Sequence, residues 1–253
     1  MKIKINRSVE NQLRPILDQI ENRDIWYPLF NEQGEPIFRG RDKYEEFLTN
    51  LDRYVDFRGK TVVDLGCNLG HYSFLAARLG AAKVVGLDIN EKMIQVCNIL
   101  RDHLGLSRVE FKTTDFLSAA HDYRYDIVIM IDYIGKNVIN KFKLKRALVA
   151  AESRSRKEIL FTFHHAYTIR GKLKTTEENL IRFYTADFIR NGKFRLLDYV
   201  KHHFAGRGQL TVSNLGKCNR LDKKQPVHFM QTSPGWLVSD AALITEPTEE
   251  TDK

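Results

Sequence analysis

Four aspartates follow four short apolar runs in the middle of the chain. They are Asp64 in TVVDLG, Asp88 in VVGLD, Asp115 in FKTTDF and Asp132 in IVIMIDYIG. The runs are rich in β-branched residues and alternate with helix-like stretches, which predicts parallel strands of one sheet. Because parallel strands end at the same edge of a sheet, the four carboxylates should meet where open α/β sheets bind their ligands.

The segment TVVDLGCNLGHYSFLAARLG predicts a strand, a glycine turn and a helix. Gly66 permits the turn, and Gly70 permits close packing of the helix on the sheet. Asn68 stands between them and is one of the few non-glycine residues that tolerate left-handed backbone angles. A fixed carboxylate at Asp64 would repel the pyrophosphate of a dinucleotide but attract a cation. S-adenosylmethionine, which carries an ammonium and a sulfonium and no phosphate, suits this turn.

The later aspartates suit the rest of that ligand. Asp88 can accept both hydroxyls of an adenosine ribose, as a carboxylate at this position does for dinucleotides. Asp115 can accept from an adenine amino group, with Ile89 and Phe116 as apolar neighbours of the ring. The alternative is that each aspartate only caps a helix or turn, which is a common role for this residue. For Asp132, contact with substrate or cofactor and capping of the next helix both stay open.

The stretches VVDLGCNLG, GLD, TTDF and IDY resemble, in order and spacing, the motifs of the class I S-adenosylmethionine-dependent methyltransferases. Asn68 departs from the commonest pattern of that superfamily, which has glycine there. The resemblance implies an enzyme in which Asp64 faces the methionyl portion of the cofactor, Asp88 holds the ribose and Asp115 the adenine. The full set of expected cofactor-binding residues is Asp64, Gly66, Cys67, Asn68, Gly70, Asp88, Ile89, Asp115 and Phe116.

Two histidines leave the fifth predicted strand, in ILFTFHH. His164 and His165 should face the acceptor, and histidine is the usual general base near neutral pH. Paired histidines leaving a strand are more often ordinary surface or hydrogen-bonding residues, and that alternative stays open. With Asp132 they form the candidate catalytic set. The spacing of the cysteines and histidines predicts no metal site.

The chain divides into three predicted parts. Residues 1–58 carry helical periodicity on both sides of an aromatic loop, so we expect an N-terminal helical extension that acts as a lid or acceptor wall. Residues 59–216 predict the S-adenosylmethionine-binding domain, and the family resemblance implies a Rossmann-like α/β sheet of seven strands with a reversed last strand and helices on both faces. Its end, KFRLLDYVKHHF and GQLTVSNLGK joined by AGR, predicts an antiparallel hairpin. Residues 217–253 predict a basic loop and a disordered acidic tail.

Positive charge is concentrated in residues 136–224, which hold 21 Lys and Arg against 7 Asp and Glu, whereas the whole chain has a net charge of +8. Lys and Arg contact phosphates, and exposed rings stack on unpaired bases, so an RNA or another phosphorylated acceptor is one expectation. A solvated basic face with a non-anionic small-molecule acceptor is the other. The aromatic residues interleaved with these cations are Phe142, Tyr167, Phe183, Tyr184 and Phe194.

Several classes are disfavoured by what the sequence lacks. It has no apolar run that could span a membrane, no signal-peptide pattern and no cysteine pair, so we expect a cytoplasmic protein that does not contact membranes. DYIG replaces the Asn/Asp-Pro-Pro-Tyr motif of DNA exocyclic-amine methylators, and FTFHH lacks the lysine of ribose 2′-O-methyltransferases. The alternatives to a methyltransferase are a cofactor-binding module without chemistry and an NAD-dependent oxidoreductase. The acceptor stays open.

Overall fold

A computed structural model describes residues 2–38, 40, 51–119, 123–213 and 224–231. None of the helices in these residues is long and apolar enough to cross a bilayer. The strands are β1 (Ile3–Ile5), β2 (Leu29–Asn31), β3 (Pro36–Phe38), β4 (Thr61–Leu65), β5 (Lys83–Asp88), β6 (Val109–Thr113), β7 (Tyr125–Met130), β8 (Ser155–His164), β9 (Tyr167–Thr168), β10 (Ile189–Arg190), β11 (Lys193–Phe194), β12 (Gly208–Val212) and β13 (Lys224–Gln231). The helices are α1 (Arg7–Leu17), α2 (His71–Arg78), α3 (Glu91–His103), α4 (Lys136–Asn140), α5 (Leu144–Arg154), α6 (Ile169–Lys172), α7 (Glu177–Tyr184) and α8 (Leu196–His203).

A seven-stranded sheet organises the fold, in the order β6-β5-β4-β7-β8-β13-β12. Strands β4 to β8 pair in parallel, and β13 is antiparallel to both β8 and β12. The predicted α/β sheet with a reversed last strand is therefore confirmed. The chain passes from β4 to β5 and β6 on one side, and β7 and β8 lie on the other. Open α/β sheets bind ligands at such a reversal, beyond the carboxyl ends of the strands.

Both faces of the sheet are covered, which explains why its strands appear in the sequence as continuous apolar runs. Neighbouring residues of β4 point to opposite faces: Val62 lies in one apolar cluster and Val63 in the other. The first cluster contains residues of α1, α2 and α3, and the second contains residues of α5, α7 and α8. The central strands are thus buried between two apolar layers.

In its described residues, the N-terminal part combines helix with a small sheet. Helix α1 is present and is capped by the Asn6 side chain, which accepts from the Val9 amide at 3.0 Å. Residues 29–38, predicted as a loop, contain β2 and β3, which form a small sheet with β1. Leu13 of α1 shares the first apolar cluster with Leu100 of α3, so this part packs on the main domain. Much of the second predicted helical stretch falls at 41–50, outside the described residues.

The C-terminal end differs from the predicted hairpin. Within KFRLLDYVKHHF, only Lys193–Phe194 is a strand; Leu196–His203 forms α8, because Leu196, Leu197 and Val200 share one buried face at helical spacing. The hairpin is formed instead by β12 and β13. The loop predicted for residues 217–253 is therefore wrong for Lys224–Gln231. The sequence does not predict this strand because it contains Pro226, and proline argues against a central strand. The predicted tail at 232–253 lies outside the described residues.

Candidate functional site

A cavity of about 360 Å³ lies over the carboxyl ends of the parallel strands, at the reversal of strand order. We call it the first cavity. The loops that leave β4, β5, β6 and β7 all contribute to its wall. Seven of the nine expected cofactor-binding residues line it: Gly66, Cys67, Asn68, Asp88, Ile89, Asp115 and Phe116. Asp64 and Gly70 do not.

The turn after β4 has three residues in the left-handed region: Gly66 at φ +78°, Asn68 at φ +50° and Gly70 at φ +73°. A Cβ added at Gly66 would lie 2.8 Å from Cδ2 of Tyr133, so this position needs glycine for space as well as for conformation. A Cβ at Gly70 would lie 2.7 Å from Cζ of Phe111 in β6. Gly70 therefore permits the close start of α2 on the sheet, as predicted, and serves packing.

Asp64 lies beneath the turn and is 2% exposed. Its Oδ2 accepts a hydrogen bond from the Ser73 hydroxyl at 2.7 Å, which joins β4 to α2. Burial raises the pKa of Asp64 to about 7; the Ser73 hydrogen bond opposes this rise, and the charge of Asp88 adds to it. Asp64 is thus only partly ionised near neutral pH and does not reach the cavity wall. The attraction of a cation, predicted for Asp64, is therefore assigned to the carboxylates that do line the cavity, Asp88, Asp115 and Asp132.

Asp88 is the carboxylate that joins two parts of the wall. Its Oδ2 accepts from the Asn68 amide and its Oδ1 accepts from the Asn90 amide, both at 2.9 Å. Burial raises the pKa of Asp88. Each carboxylate oxygen has a second lone pair, so Asp88 can still accept hydrogen bonds from a ligand in the cavity.

Part of the wall of the first cavity is apolar. Ile89 is 69% exposed, which is unusual for a large apolar side chain, and it lines the first cavity. Phe116 also lines it and packs against the Tyr133 ring, with centroids 5.0 Å apart. Asp115 accepts from the Leu117 amide at 3.1 Å and from the Ser118 hydroxyl at 3.0 Å. Asp115 thus makes the turn contacts of the alternative interpretation while also lining the cavity.

A second cavity of about 410 Å³ adjoins the first. The two share four wall residues: Trp26, Asp132, Tyr133 and Asn137. The second cavity adds His164, Lys136 and Lys172. His165 instead lines a separate hollow of about 90 Å³, since successive residues at a strand end point to opposite sides. The structure therefore unites Asp132 with His164 and separates His165 from them.

Asp132 is held on both carboxylate oxygens. The Thr162 hydroxyl donates to Oδ1 at 3.1 Å and accepts from the Asp132 amide at 2.8 Å. The Tyr27 hydroxyl donates to Oδ2, and the Tyr72 hydroxyl donates to that of Tyr27 at 2.7 Å. The Tyr27 ring stacks on His71 at 4.9 Å. Burial lowers the pKa of His71 to about 3, so this imidazole is neutral.

The N-terminal part, expected to act as a lid or acceptor wall, contains the aromatic residues Trp26, Tyr27 and Phe30, but the sequence assigns no role to the Tyr27 hydroxyl. Trp26 and Tyr27 do line the cavities, whereas Phe30 is buried and lies outside both walls. Thr162 was also missed. Neither contact has a sequence signal, because each joins residues that are distant in the chain.

The basic half of the chain reaches both cavities. Lys141 and Lys143 line the first, and Lys136 and Lys172 line the second. The interleaved aromatic residues are mostly core: Tyr167, Tyr184 and Phe194 are buried, and only Phe183, stacked on Phe142 at 4.0 Å, is exposed. Within the part of the chain that the structure describes, no group of three or more His, Cys, Asp or Glu could hold a metal ion.

A family model described as a methyltransferase domain matches residues 56–182 of the chain. The ribosomal protein L11 methyltransferase of Fusobacterium nucleatum is 25% identical over 119 residues, which are 46% of this chain and 38% of that protein. The same protein of Citrobacter koseri is 42% identical over 53 residues, which are 21% of this chain and 18% of that protein. The chain thus matches well under half the length of these curated relatives.

Solved structures resemble most of the fold. The N-terminal domain of EvdMO1, crystallised in the presence of SAH and D-fucose, has a TM-score of 0.58 at 17% identity, with 88% of this chain and 96% of that chain covered. A putative rRNA-methylase from Clostridium thermocellum has a TM-score of 0.52 at 16% identity, with 77% and 100% covered. At such low identities these structures support the fold alone.

Proposed function

This chain belongs to the class I S-adenosylmethionine-dependent methyltransferases, and we propose that it methylates an acceptor carrying a phosphate or another anionic group. One observation carries the proposal: two adjoining cavities share the wall formed by Trp26, Asp132, Tyr133 and Asn137. The first cavity has the carboxylates and apolar groups that a sulfonium nucleoside needs. The second adds lysines and His164.

The residues of the first cavity fit S-adenosylmethionine, which supplies an electrophilic methyl group on a sulfonium. Asp88 would accept the ribose hydroxyls, since its carboxylate already stands at the end of β5 in the cavity wall. Ile89 and Phe116 would pack against the adenine, and burial of Ile89 would remove apolar surface from water. The turn from Gly66 to Asn68 would hold the methionyl portion. Asp64 would support this turn through Ser73 without contacting the ligand.

The residues of the second cavity would hold and orient the acceptor. Lys136 and Lys172 can neutralise an anionic group, and this interaction positions the acceptor without altering the electrophile. Asp132 and His164 lie on the wall of this cavity, and Asp132 also lines the first. Either can take a proton from an acceptor that loses one during attack. Asp132 is the better oriented of the two, because Tyr27 and Thr162 hold its carboxylate.

Both sources of anionic acceptor named by the sequence agree with this arrangement. The second cavity, of about 410 Å³, has room for a small phosphorylated molecule, whereas the excess of Lys and Arg over residues 136–224 and the exposed Phe183 suit RNA. The proposal keeps the expected cytoplasmic location, where both kinds of acceptor occur. The proposal removes His165 from the candidate catalytic set, because this residue lines the separate hollow.

The test is an acceptor search with methyl-tritiated cofactor. Purified protein is incubated in parallel with total RNA fractions, a pool of phosphorylated metabolites and a pool of neutral ones. We expect label in an anionic fraction, and less of it with K172E. K201E is the matched control, because Lys201 is exposed in the same basic half and lies outside both cavities. Label confined to neutral compounds would refute an anionic acceptor, and equal activity of K172E and K201E would remove Lys172 from the acceptor site.

A further inference from the structure

Asn68 makes two side-chain contacts that a glycine could not make. Its Oδ1 accepts from the Trp26 amide at 3.2 Å, and its Nδ2 donates to the Asp24 carbonyl at 2.7 Å. The Asn68 backbone amide meanwhile donates to Asp88. Glycine would adopt the left-handed conformation of Asn68 at lower cost. The backbone of the turn therefore does not explain the asparagine, whereas its contacts with the N-terminal part of the chain do.

The residues that Asn68 holds lead directly to Asp132. We call Asp24–Tyr27 the 24–27 segment. Trp26 lies in the walls of both cavities, and the Tyr27 hydroxyl donates to the Asp132 carboxylate. A continuous chain of contacts thus runs from Asp88 through Asn68 and the 24–27 segment to Asp132. It begins at the proposed ribose ligand and ends at the carboxylate beside the acceptor.

We propose that Asn68 is a positioning residue: it ties the cofactor turn to the 24–27 segment and so holds Tyr27 against Asp132. This inference rests on the proposed function for the identity of the ligand. A ligand that orders the turn then also orders the segment, and by linkage an ordered segment favours the ligand. The side chain at position 68 carries this coupling, and the left-handed backbone alone does not.

Trp26 reports the state of the segment. The chain has two tryptophans, Trp26 and Trp236, so W236F leaves Trp26 as the sole source of tryptophan fluorescence. Quenching by acrylamide measures the access of solvent to this ring. Hydrogen exchange of the Trp26 amide measures opening of the bond to Asn68 directly.

The experiment compares N68G and N191G, both in the W236F background. Asn191 is a matched control: it also has a left-handed backbone, at φ +52°, and it lies in the exposed turn between β10 and β11. In the free protein, N68G should raise the exchange rate of the Trp26 amide by about tenfold, because two hydrogen bonds are lost. N191G should leave that rate unchanged. Acrylamide quenching of Trp26 should rise with N68G alone.

S-adenosylhomocysteine then tests the coupling. At saturation it should protect Trp26 in W236F and N191G, and protect it at least twofold less in N68G. Equal protection in N68G would mean that the ligand shields Trp26 directly, and it would overturn the coupling. N68D gives a second test, since aspartate tolerates the left-handed backbone but cannot donate to Asp24. If the Trp26 amide of N68G and of N68D exchanges at the same rate as that of N191G in the free protein, the Asn68 side chain does not hold the 24–27 segment. Failure of the ligand to bind W236F would refute the proposed function instead.

Discussion

Tyr27 and Asp132 lie 105 residues apart in the chain, and the Tyr27 hydroxyl donates a hydrogen bond to Oδ2 of Asp132. Thr162 donates to the other oxygen. Asp132 itself has a left-handed backbone, at φ +59°. Helix α4 begins after Gly135 without a side-chain cap, so Asp132 does not cap it. The carboxylate is thus held in one orientation at the boundary of the two cavities.

The Tyr27 hydroxyl can be removed with little change in shape. We expect Y27F to lower the rate of methyl transfer by about tenfold, because one of the two groups that orient Asp132 is lost. The affinity for S-adenosylhomocysteine should change by less than about threefold, since the ring and its stacking on His71 remain. Initial rates with the acceptor found by tritium labelling measure the first effect, and calorimetry measures the second. Y123F, at an exposed tyrosine outside both cavities, is the control. Equal rates for Y27F and Y123F would show that the hydroxyl orients nothing of catalytic importance.

Ile89 is large, apolar and 69% exposed on the wall of the first cavity. I89A should weaken binding of S-adenosylhomocysteine by about three- to tenfold, because apolar contact with the ligand is lost. The free energy of unfolding without ligand should change by no more than about 0.5 kcal/mol, since the side chain is already in solvent. Calorimetric titration and urea unfolding measure the two effects. M230A, at a residue that is 45% exposed on β13, should alter neither. A loss of affinity common to both variants would remove Ile89 from the site.

Local sequence patterns predicted the parts of the site that lie in sequence next to a parallel strand. The β-branched runs located β4, β5, β6, β7 and β8, and the residues just after β5, such as Ile89, could be placed at the ligand edge from the chain direction alone. Asp64 could not be placed, because its side chain turns toward Ser73 and the turn then covers it. A residue type and its position in a motif do not tell which face of the strand it occupies.

Contacts between distant segments were beyond prediction for a different reason. The sequence predicts a loop for the aromatic stretch near Trp26, and only contacts with α2 and with the loop after β7 bring Tyr27 to Tyr72 and Asp132. Strand β13 was missed because Pro226 interrupts the pattern, although Val227 and Phe229 alternate with exposed or half-exposed neighbours as a strand requires. In both cases tertiary contacts, and not local preference, select the conformation.

The raised pKa of Asp64 makes stability depend on pH. Its pKa is 3.8 when unperturbed and about 7 in the folded protein, so the folded state binds this proton more tightly. The contribution of Asp64 to stability is therefore greatest at low pH, declines as pH rises from about 4 to 7, and is constant above that. D64N removes the titration. The free energy of unfolding of D64N minus that of the wild type should increase by about 2–3 kcal/mol between pH 5 and pH 8, from about 1.4 kcal/mol per pKa unit.

Urea unfolding at both pH values measures this difference, and any pH-independent cost of the buried amide cancels. D126N is the control. Partial burial raises the pKa of Asp126, but hydrogen bonds from Thr61 and the charges of Lys157 and Arg156 together lower it further, so Asp126 does not titrate between pH 5 and pH 8. Its curve should run parallel to that of the wild type over this interval. A parallel curve for D64N as well would place the folded pKa of Asp64 near its ordinary value.

The salt dependence of binding distinguishes RNA from a small phosphorylated acceptor. Four cations on or next to α5, Lys141, Lys143, Lys145 and Arg146, would give a log–log salt slope near −3 if each contacts a phosphate of a single strand, at about −0.7 per contact. Lys143 lines the first cavity, so its reversal would also disturb cofactor binding, whereas Lys145 is exposed and lies outside both cavities. K145E should therefore weaken RNA retention and flatten the slope by about 0.7, with the affinity for S-adenosylhomocysteine unchanged. Filter retention at several salt concentrations measures both.

K83E makes the same change of charge at the amino end of β5, on the opposite edge of the sheet from the cavities, and should retain RNA as the wild type does. Identical slopes for K145E and K83E would exclude this surface as an RNA contact and leave the second cavity to a small anionic acceptor.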